Sequence, residues 1–183
     1  LAVVNSPGAS LIGDDLDRFL VEAGLSHVCM AIPGAAYSHP LPEGFDNAMV
    51  AVLRWLKLNR LPRLTDRVNL LGISMIQKYW QGNIHELTHL LSLMGLTVVA
   101  APGAGSGVAG LRESVTASVN IVVFPEYAQK TAEFYEKEFG IPAIRSPDGA
   151  PVGFAATESW IRAVAAATGR DPAPALAEIR RQR

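Results

Sequence analysis

The chain has 183 residues, with 16 Lys and Arg against 17 Asp and Glu and a formal net charge of −1, so it carries no basic surplus for nucleic acid and no acidic tail for disorder. Its length fits one large domain or one and a half small ones, with a core that buries roughly 70% of the unfolded surface. A single cysteine, Cys29, excludes an internal disulfide framework and fits a reducing cytosol, while no apolar run reaches the roughly 18–20 residues of a membrane helix and no secretory signal opens the chain. From Leu1 in place of Met we expect a processed product or a piece cut from a longer polypeptide.

In chain order, AVVN (2–5) reads as a buried strand. Leu16, Phe19, Leu20 and Ala23 then recur at helical spacing, and Asp14, Asp15 and Asp17 crowd the helix start, where the macrodipole favours acids. Gly24 can end that helix. HVCMAI (27–32) reads as a second strand, followed by a Gly- and Pro-rich loop, PGAAYSHPLPEG (33–44). Phe45, Met49, Val52, Leu53 and Leu56 mark a strong helix, and LNRLPRLTDR (58–67) reads as a linker. VNLLG (68–72) predicts a strand, 83–94 a helix stopped by Gly95, and TVVAA (97–101) the next strand. A glycine-rich loop and a short helix lead to VNIVVF (119–124); Pro125 suits a first helical turn. The stripe Ala128, Thr131, Ala132, Tyr135 and Phe139 predicts a helix that Gly140 ends. PAIR (142–145) is a short strand, and two helices, 154–168 and 172–182, close the chain.

Strands alternating with helices imply an α/β class, a Rossmann-like parallel sheet with helices on both faces, plus the C-terminal helices. We expect a partial first α/β unit over 1–62, a second Rossmann-like unit over 63–150, and C-terminal helices over 151–183 leading to a further domain. No internal repeat and no low-complexity stretch interrupts this plan.

Three places could carry chemistry. His85-Glu86-Leu87-Thr88-His89 matches the H-E-x-x-H signature, in which two imidazoles one helical turn apart bind zinc and the Glu activates a water. A catalytic zinc needs a third protein ligand, and His27, His39 and Glu113 are all that the chain suggests. The alternative is a surface helix with Asn83 as N-cap and Glu86 three residues on, a capping box, whose apolar face is Ile84, Leu87, Leu91 and Met94. Second, Gly105-Ser106-Gly107-Val108-Ala109-Gly110 imitates the dinucleotide fingerprint, with Glu126 about 20 residues on. The helix behind it is barely two turns long, and the competing reading is an ordinary loop at the carboxyl edge of the sheet. Third, the loops 5–15 and 33–47 follow strands and so lie where α/β ligand sites form, with Tyr37, Ser38 and His39 on the second.

Four stretches together carry a family resemblance: LIGDDLDRFL (11–20), IPGAAYSHPLPEGFDNAM (32–49), VNLLG…YWQGNIHELTHLLSLMGL (68–96) and PVGFAATESWIRAVAAATG (151–169). They make the chain resemble component 1 of the nitrogenase family, nearest to the beta-type subunit of the molybdenum–iron protein. Relatives include cofactor-assembly scaffold subunits and light-independent protochlorophyllide reductase subunits. The resemblance covers a middle section of such a subunit. It implies a cytoplasmic oxidoreductase, of nitrogen-fixation type, that pairs with a homologous subunit or with itself as a dimer or heterotetramer. It implies an ATP-dependent iron protein that delivers electrons to an iron–sulfur cluster at the subunit interface. No nucleic acid or membrane partner is implied.

The resemblance also bears on single residues. It places a cluster-ligand cysteine six residues before Gly13, where this chain has Pro7, which cannot bind iron. It places a serine that can bind an oxidised cluster at Ser38, which is present. With Pro7 in place of one ligand, the chain departs from the implied iron–sulfur cluster's ligand set, a departure that points towards a metallocluster-assembly scaffold or a divergent paralogue. The resemblance implies no zinc at His85, Glu86 and His89 and no nucleotide at the glycine loop. The leading expectation is therefore a section of a nitrogenase-like component 1 oxidoreductase subunit, inactive alone. The alternatives are the scaffold, a zinc metallohydrolase at His85-Glu86-His89, and a nucleotide-binding module at Gly105–Gly110. Dinitrogen, a tetrapyrrole or a cofactor precursor would be read by residues outside this section.

Overall fold

The short apolar runs near the start of the chain pair with each other. In the computed structural model, which describes residues 1–32 and 39–183, Ala2–Val4 (β1) lies parallel to Met30–Ile32 (β2), with Val3 opposite Ala31. Between them run two short helices, Pro7–Leu11 (α1) and Leu16–Glu22 (α2). The acid-rich start of α2 works as its composition predicts: Asp15 accepts a hydrogen bond from the Arg18 N–H at 3.1 Å. The second strand is shorter than HVCMAI suggests. Residues 27–29 are turn and coil rather than strand, tied by the Val28 and Cys29 N–H groups bonding to the Leu25 carbonyl, so only the last three residues reach β1. The following helix, Leu41–Trp55 (α3), begins inside the Pro-rich segment read as loop; Pro42 sits in the first turn, where a missing N–H leaves nothing unpaired. These elements form a unit over Leu1–Leu58.

The second unit, Asn59–Arg183, is built on one parallel sheet. Its elements are Leu64–Leu71 (β3), Trp80–Leu93 (α4), Thr97–Ala100 (β4), Val108–Glu113 (α5), Ala117–Val122 (β5), Gln129–Phe139 (α6), Ala143–Arg145 (β6), Phe154–Thr168 (α7) and Ala173–Gln182 (α8). The strand order is β4-β3-β5-β6. β3 starts at Leu64, inside the segment read as linker, because Leu64 pairs with Ala117 and Arg67 with Thr97. Sheet partners outweigh the polar composition of Thr65-Asp66-Arg67, whose side chains can stay in water at the strand's exposed end. Pro125 opens a 3-10 turn, Pro125–Tyr127, one step before α6 rather than α6 itself. Gly95, Gly140 and Gly169 end α4, α6 and α7 in the left-handed conformation, as read from the sequence.

Side-chain alternation along the strands sorts the core into two layers. Val68 and Leu70 of β3 stand beside Val119 and Ile121 of β5, and with Leu87, Leu91, Trp160, Ile161, Val164 and Ile179 they form one apolar cluster under α4, α7 and α8. On the other face the same register brings Asn69 beside Asn120. Both are fully buried, and the Asn69 amide donates to Asn120 at 2.8 Å and to the Ser114 carbonyl at 2.9 Å. Ser114 and the phenol of Tyr135 on α6 share a hydrogen bond of 2.7 Å.

Burial pushes the Tyr135 phenol up from 10.0 to about 12, against a smaller downward pull from the Ser114 bond. The folded chain therefore keeps this proton at a pH where the unfolded chain has lost it. Its contribution is complete below pH 10 and is lost as the pH rises towards 12, a slope worth about 3 kcal/mol across the window. Tyr135→Phe is expected to flatten that slope. Urea midpoints of the two proteins measured between pH 8 and 12 check it; parallel curves would show that Tyr135 titrates normally.

Candidate functional site

β3 leads through α4 to β4 on one side, and β5 leads through α6 to β6 on the other, so the order of the sheet reverses between β3 and β5. Crevices at the carboxyl ends of strands at such a reversal are where open α/β sheets bind ligands. A cleft of about 380 Å³ opens on the β5 side of this point. Val123 and Phe124, which follow β5, form one wall; Asn83, Glu86 and Leu90 of α4 form another; Val152 and Phe154 at the start of α7 close it. The backbone of that β5 wall is held against the segment that follows β3. The Val123 N–H bonds to the Leu71 carbonyl at 2.8 Å, and Gly72, at φ +90°, lies against Phe124 so closely that a Cβ would stand 2.2 Å from the Phe124 carbonyl oxygen.

α4 carries the His85-Glu86-His89 motif, and all three residues are at least partly exposed. They do not share a groove. Glu86 faces the cleft at the sheet reversal, whereas His85 and His89 line a separate open groove of about 650 Å³. Among the described residues no three His, Cys, Asp or Glu gather to hold a metal ion. Glu113 lies 3.8 Å from Arg67, and the His39 Nδ1 lies 3.4 Å from a Glu43 carboxylate oxygen. The apolar face of α4 is as read, with Leu87, Leu91 and Met94 buried and Ile84 packed against the core, and it gains Leu90.

The capping box is not formed. α4 begins at Trp80, three residues before the expected N-cap, and Asn83 is already inside the helix with its N–H on the Tyr79 carbonyl. Tyr79 occupies the cap position at φ 65° without a side-chain bond. The cause is tertiary. The Trp80 indole packs on the core and against Gly105, where a Cβ would come within 3.1 Å of the ring, and this docking draws the start of the helix back by a turn.

That contact brings the glycine loop into the same groove as the two histidines, beside Gly105 and Ser106. The loop is folded on its own backbone: the Ser106 hydroxyl accepts from the Ala101 N–H at 2.8 Å, and the Ala104 N–H bonds to the Ala101 carbonyl at 3.0 Å. The helix behind it, α5, has 6 residues, and Glu126 is exposed on a 3-10 turn. On α8, the Glu178 carboxylate is held down at about 2, chiefly by a hydrogen bond from Arg181, next by one from Gln182, with the charge of His89 adding a little.

In the first unit, Pro7 is exposed and opens α1, whose N-cap Ser6 accepts from the Ala9 N–H at 3.1 Å. Cys29 is a free, buried thiol. Tyr37 and Ser38 lie outside the described residues. Sequence reasoning did not find the cleft at the sheet reversal, because it depends on strand order. The available signal was Gly72 directly after a strand, a residue type that admits close backbone approach.

The family model described as nitrogenase component 1 type oxidoreductase matches residues 1–183. Three curated relatives are B subunits of the light-independent protochlorophyllide reductase. The one from Synechococcus sp. (strain WH7803) is 32% identical over 196 aligned residues, covering 100% of this chain and 36% of that protein. Its counterpart in Methylobacterium sp. (strain 4-46) is 33% identical over 173 residues, covering 93% and 34%. The one in Rhodospirillum rubrum is 37% identical over 112 residues, covering 61% and 20%. The chain thus spans between about a fifth and about a third of the length of these curated relatives. Solved structures of nitrogenase Cp1 at pH 5 and at pH 6.5 superpose with TM-scores of 0.71 and 0.74 at 19% and 21% identity, covering 98% of this chain and 35% and 34% of theirs, a likeness of fold. Among the described residues no helix is long and apolar enough to cross a membrane.

Proposed function

The chain belongs to the nitrogenase component 1 type oxidoreductase family, and from that premise we propose that it is a section of a redox subunit of the light-independent protochlorophyllide reductase type. The observation that carries this reading is the 32% identity to the B subunit of such a reductase across 100% of the chain. On this reading the substrate is protochlorophyllide or a close chemical relative rather than dinitrogen. The protein works in the cytoplasm, paired with a homologous subunit and fed by an ATP-dependent iron protein, and is inactive alone.

The iron–sulfur cluster implied by the family resemblance does not fit the described residues. Pro7, where the resemblance places a ligand cysteine, has no side-chain donor atom, and Ser38, the other expected ligand, lies outside the described residues. The described residues of this section therefore supply no ligand set for such a group. Its contribution is the α/β framework and the cleft at the sheet reversal. Pro7 also favours a second reading, a non-catalytic metallocluster-assembly scaffold built on the same framework.

The test is anaerobic purification of the chain alone and with the homologous subunit and iron protein of a light-independent protochlorophyllide reductase. We expect no ATP-dependent consumption of protochlorophyllide by the chain with iron protein alone, and co-elution with the homologous subunit on gel filtration. Failure to associate would count against the subunit reading. A stable complex that binds iron and sulfide yet never consumes protochlorophyllide would favour the scaffold.

A further inference from the structure

His85 and His89 have no part in the reading above, yet they are arranged as a pair. α4 is an uninterrupted helix from Trp80 to Leu93. Four residues along such a helix rise about 6 Å and turn about 400°, so the two side chains leave the same side, roughly 40° apart. Residues at this spacing are neighbours on a helix surface. Neither histidine is buried, and both line the same open groove. Among the described residues neither ring is held in a hydrogen bond, whereas His39 has a carboxylate at 3.4 Å.

We propose that His85 and His89 form a two-imidazole chelate for a divalent transition-metal ion of the copper, nickel and zinc group. Imidazole nitrogen suits these borderline ions, while magnesium and calcium select oxygen. The Glu178 carboxylate on α8 takes no part, because both its oxygens accept bonds from Arg181 and one accepts a further bond from Gln182. Glu86 takes no part either, because it faces the other cleft. Two protein ligands leave the remaining positions to solvent. The site therefore binds a metal and does not act as a hydrolytic zinc centre, which needs three protein ligands and a general base beside the ion.

Affinity should follow the order in which copper exceeds nickel and zinc. It should fall as the pH is lowered, since an imidazole binds metal only after losing its proton. Once one imidazole is bound the second is delivered intramolecularly, so removing either one removes the gain of chelation.

The experiment is titration of the full, tag-free chain with CuSO₄, followed by calorimetry and by the electron paramagnetic resonance of bound Cu²⁺. The expected result is one tight Cu²⁺ per chain with hyperfine coupling to two nitrogens. His85→Ala and His89→Ala should each weaken it by on the order of tenfold or more and reduce the coupling to one nitrogen. Glu86→Gln and His39→Ala should bind as the parent does. Unchanged binding in both His85→Ala and His89→Ala would overturn the proposal. So would loss of the ion in Glu86→Gln, which would restore the hydrolytic reading instead. None of these side chains is buried, so metal-free melting curves should coincide and exclude misfolding as the cause.

Discussion

Gly72→Ala is expected to lower the melting temperature by about 10 °C or more. Gly72 follows the last residue of β3 at φ +90°, a region that disfavours any residue with a Cβ. Its Cα also faces backbone, not a flexible side chain: an added Cβ would lie 2.2 Å from the Phe124 carbonyl oxygen and 2.9 Å from its nitrogen. Relief requires the segments after β3 and β5 to part, and they are joined by the Val123 to Leu71 hydrogen bond of 2.8 Å. Overpacking and strained backbone each cost roughly 1–3 kcal/mol, so together about 2–6 kcal/mol, with a middle value of about 4 kcal/mol. For a unit of this size the middle value corresponds to roughly 10–20 °C. Thermal denaturation followed by circular dichroism measures it. A shift under about 3 °C would show that the two segments separate at little cost, and that the cleft above them is not rigid.

Trp160→Ala should lose about 3–5 kcal/mol, as expected when the largest kind of side chain is emptied from a core. Trp160 of α7 is 1% exposed and belongs to the cluster that joins the central strands to α4 and α8. Trp160→Phe should lose less than half as much. Its indole N–H has no hydrogen-bond partner among the described residues, so phenylalanine gives up volume and dispersion but no hydrogen bond. Urea denaturation of the three proteins separates the effects. Equal losses for Phe and Ala would mean that the indole N–H contributes to stability after all. The pair also tests whether α7 is integral to the second unit, since a helix merely resting on it would unfold separately and leave the main transition in place.

Much of the second unit was legible from periodicity. The helix 154–168 is found residue for residue, and the strands at 97, 119 and 142 are displaced by two residues at most. These segments combine a steady apolar pattern with glycine or proline stops, so local and tertiary preferences agree. The early starts of β3 and α4 share one cause. Leu64–Arg67 joined β3, and Trp80–Gly82 joined α4, because a partner strand or a core contact was present that composition does not report. The buried asparagine pair had a visible mark, since Val68-Asn69 and Val119-Asn120 each set one Asn within an apolar strand. Their pairing needed the β3 to β5 register.

The candidate sites divide in the same way. Residue order alone put His85 and His89 on one side of a helix, because the helical repeat is a property of the local backbone. It likewise carried the family, through motifs spread along residues 11–169. Which groove each motif residue faces was a tertiary matter. Glu86 and the histidines differ by only a fraction of a turn, yet the packing of α4 against α8 on one side and the glycine loop on the other sends them to different clefts. The sheet reversal between β3 and β5, the approach of Gly72 to Phe124, and the early start of α4 under Trp80 all join residues 20 or more positions apart. Periodicity encodes the face that an element buries; which distant element covers that face is settled only when strands pair and side chains close-pack.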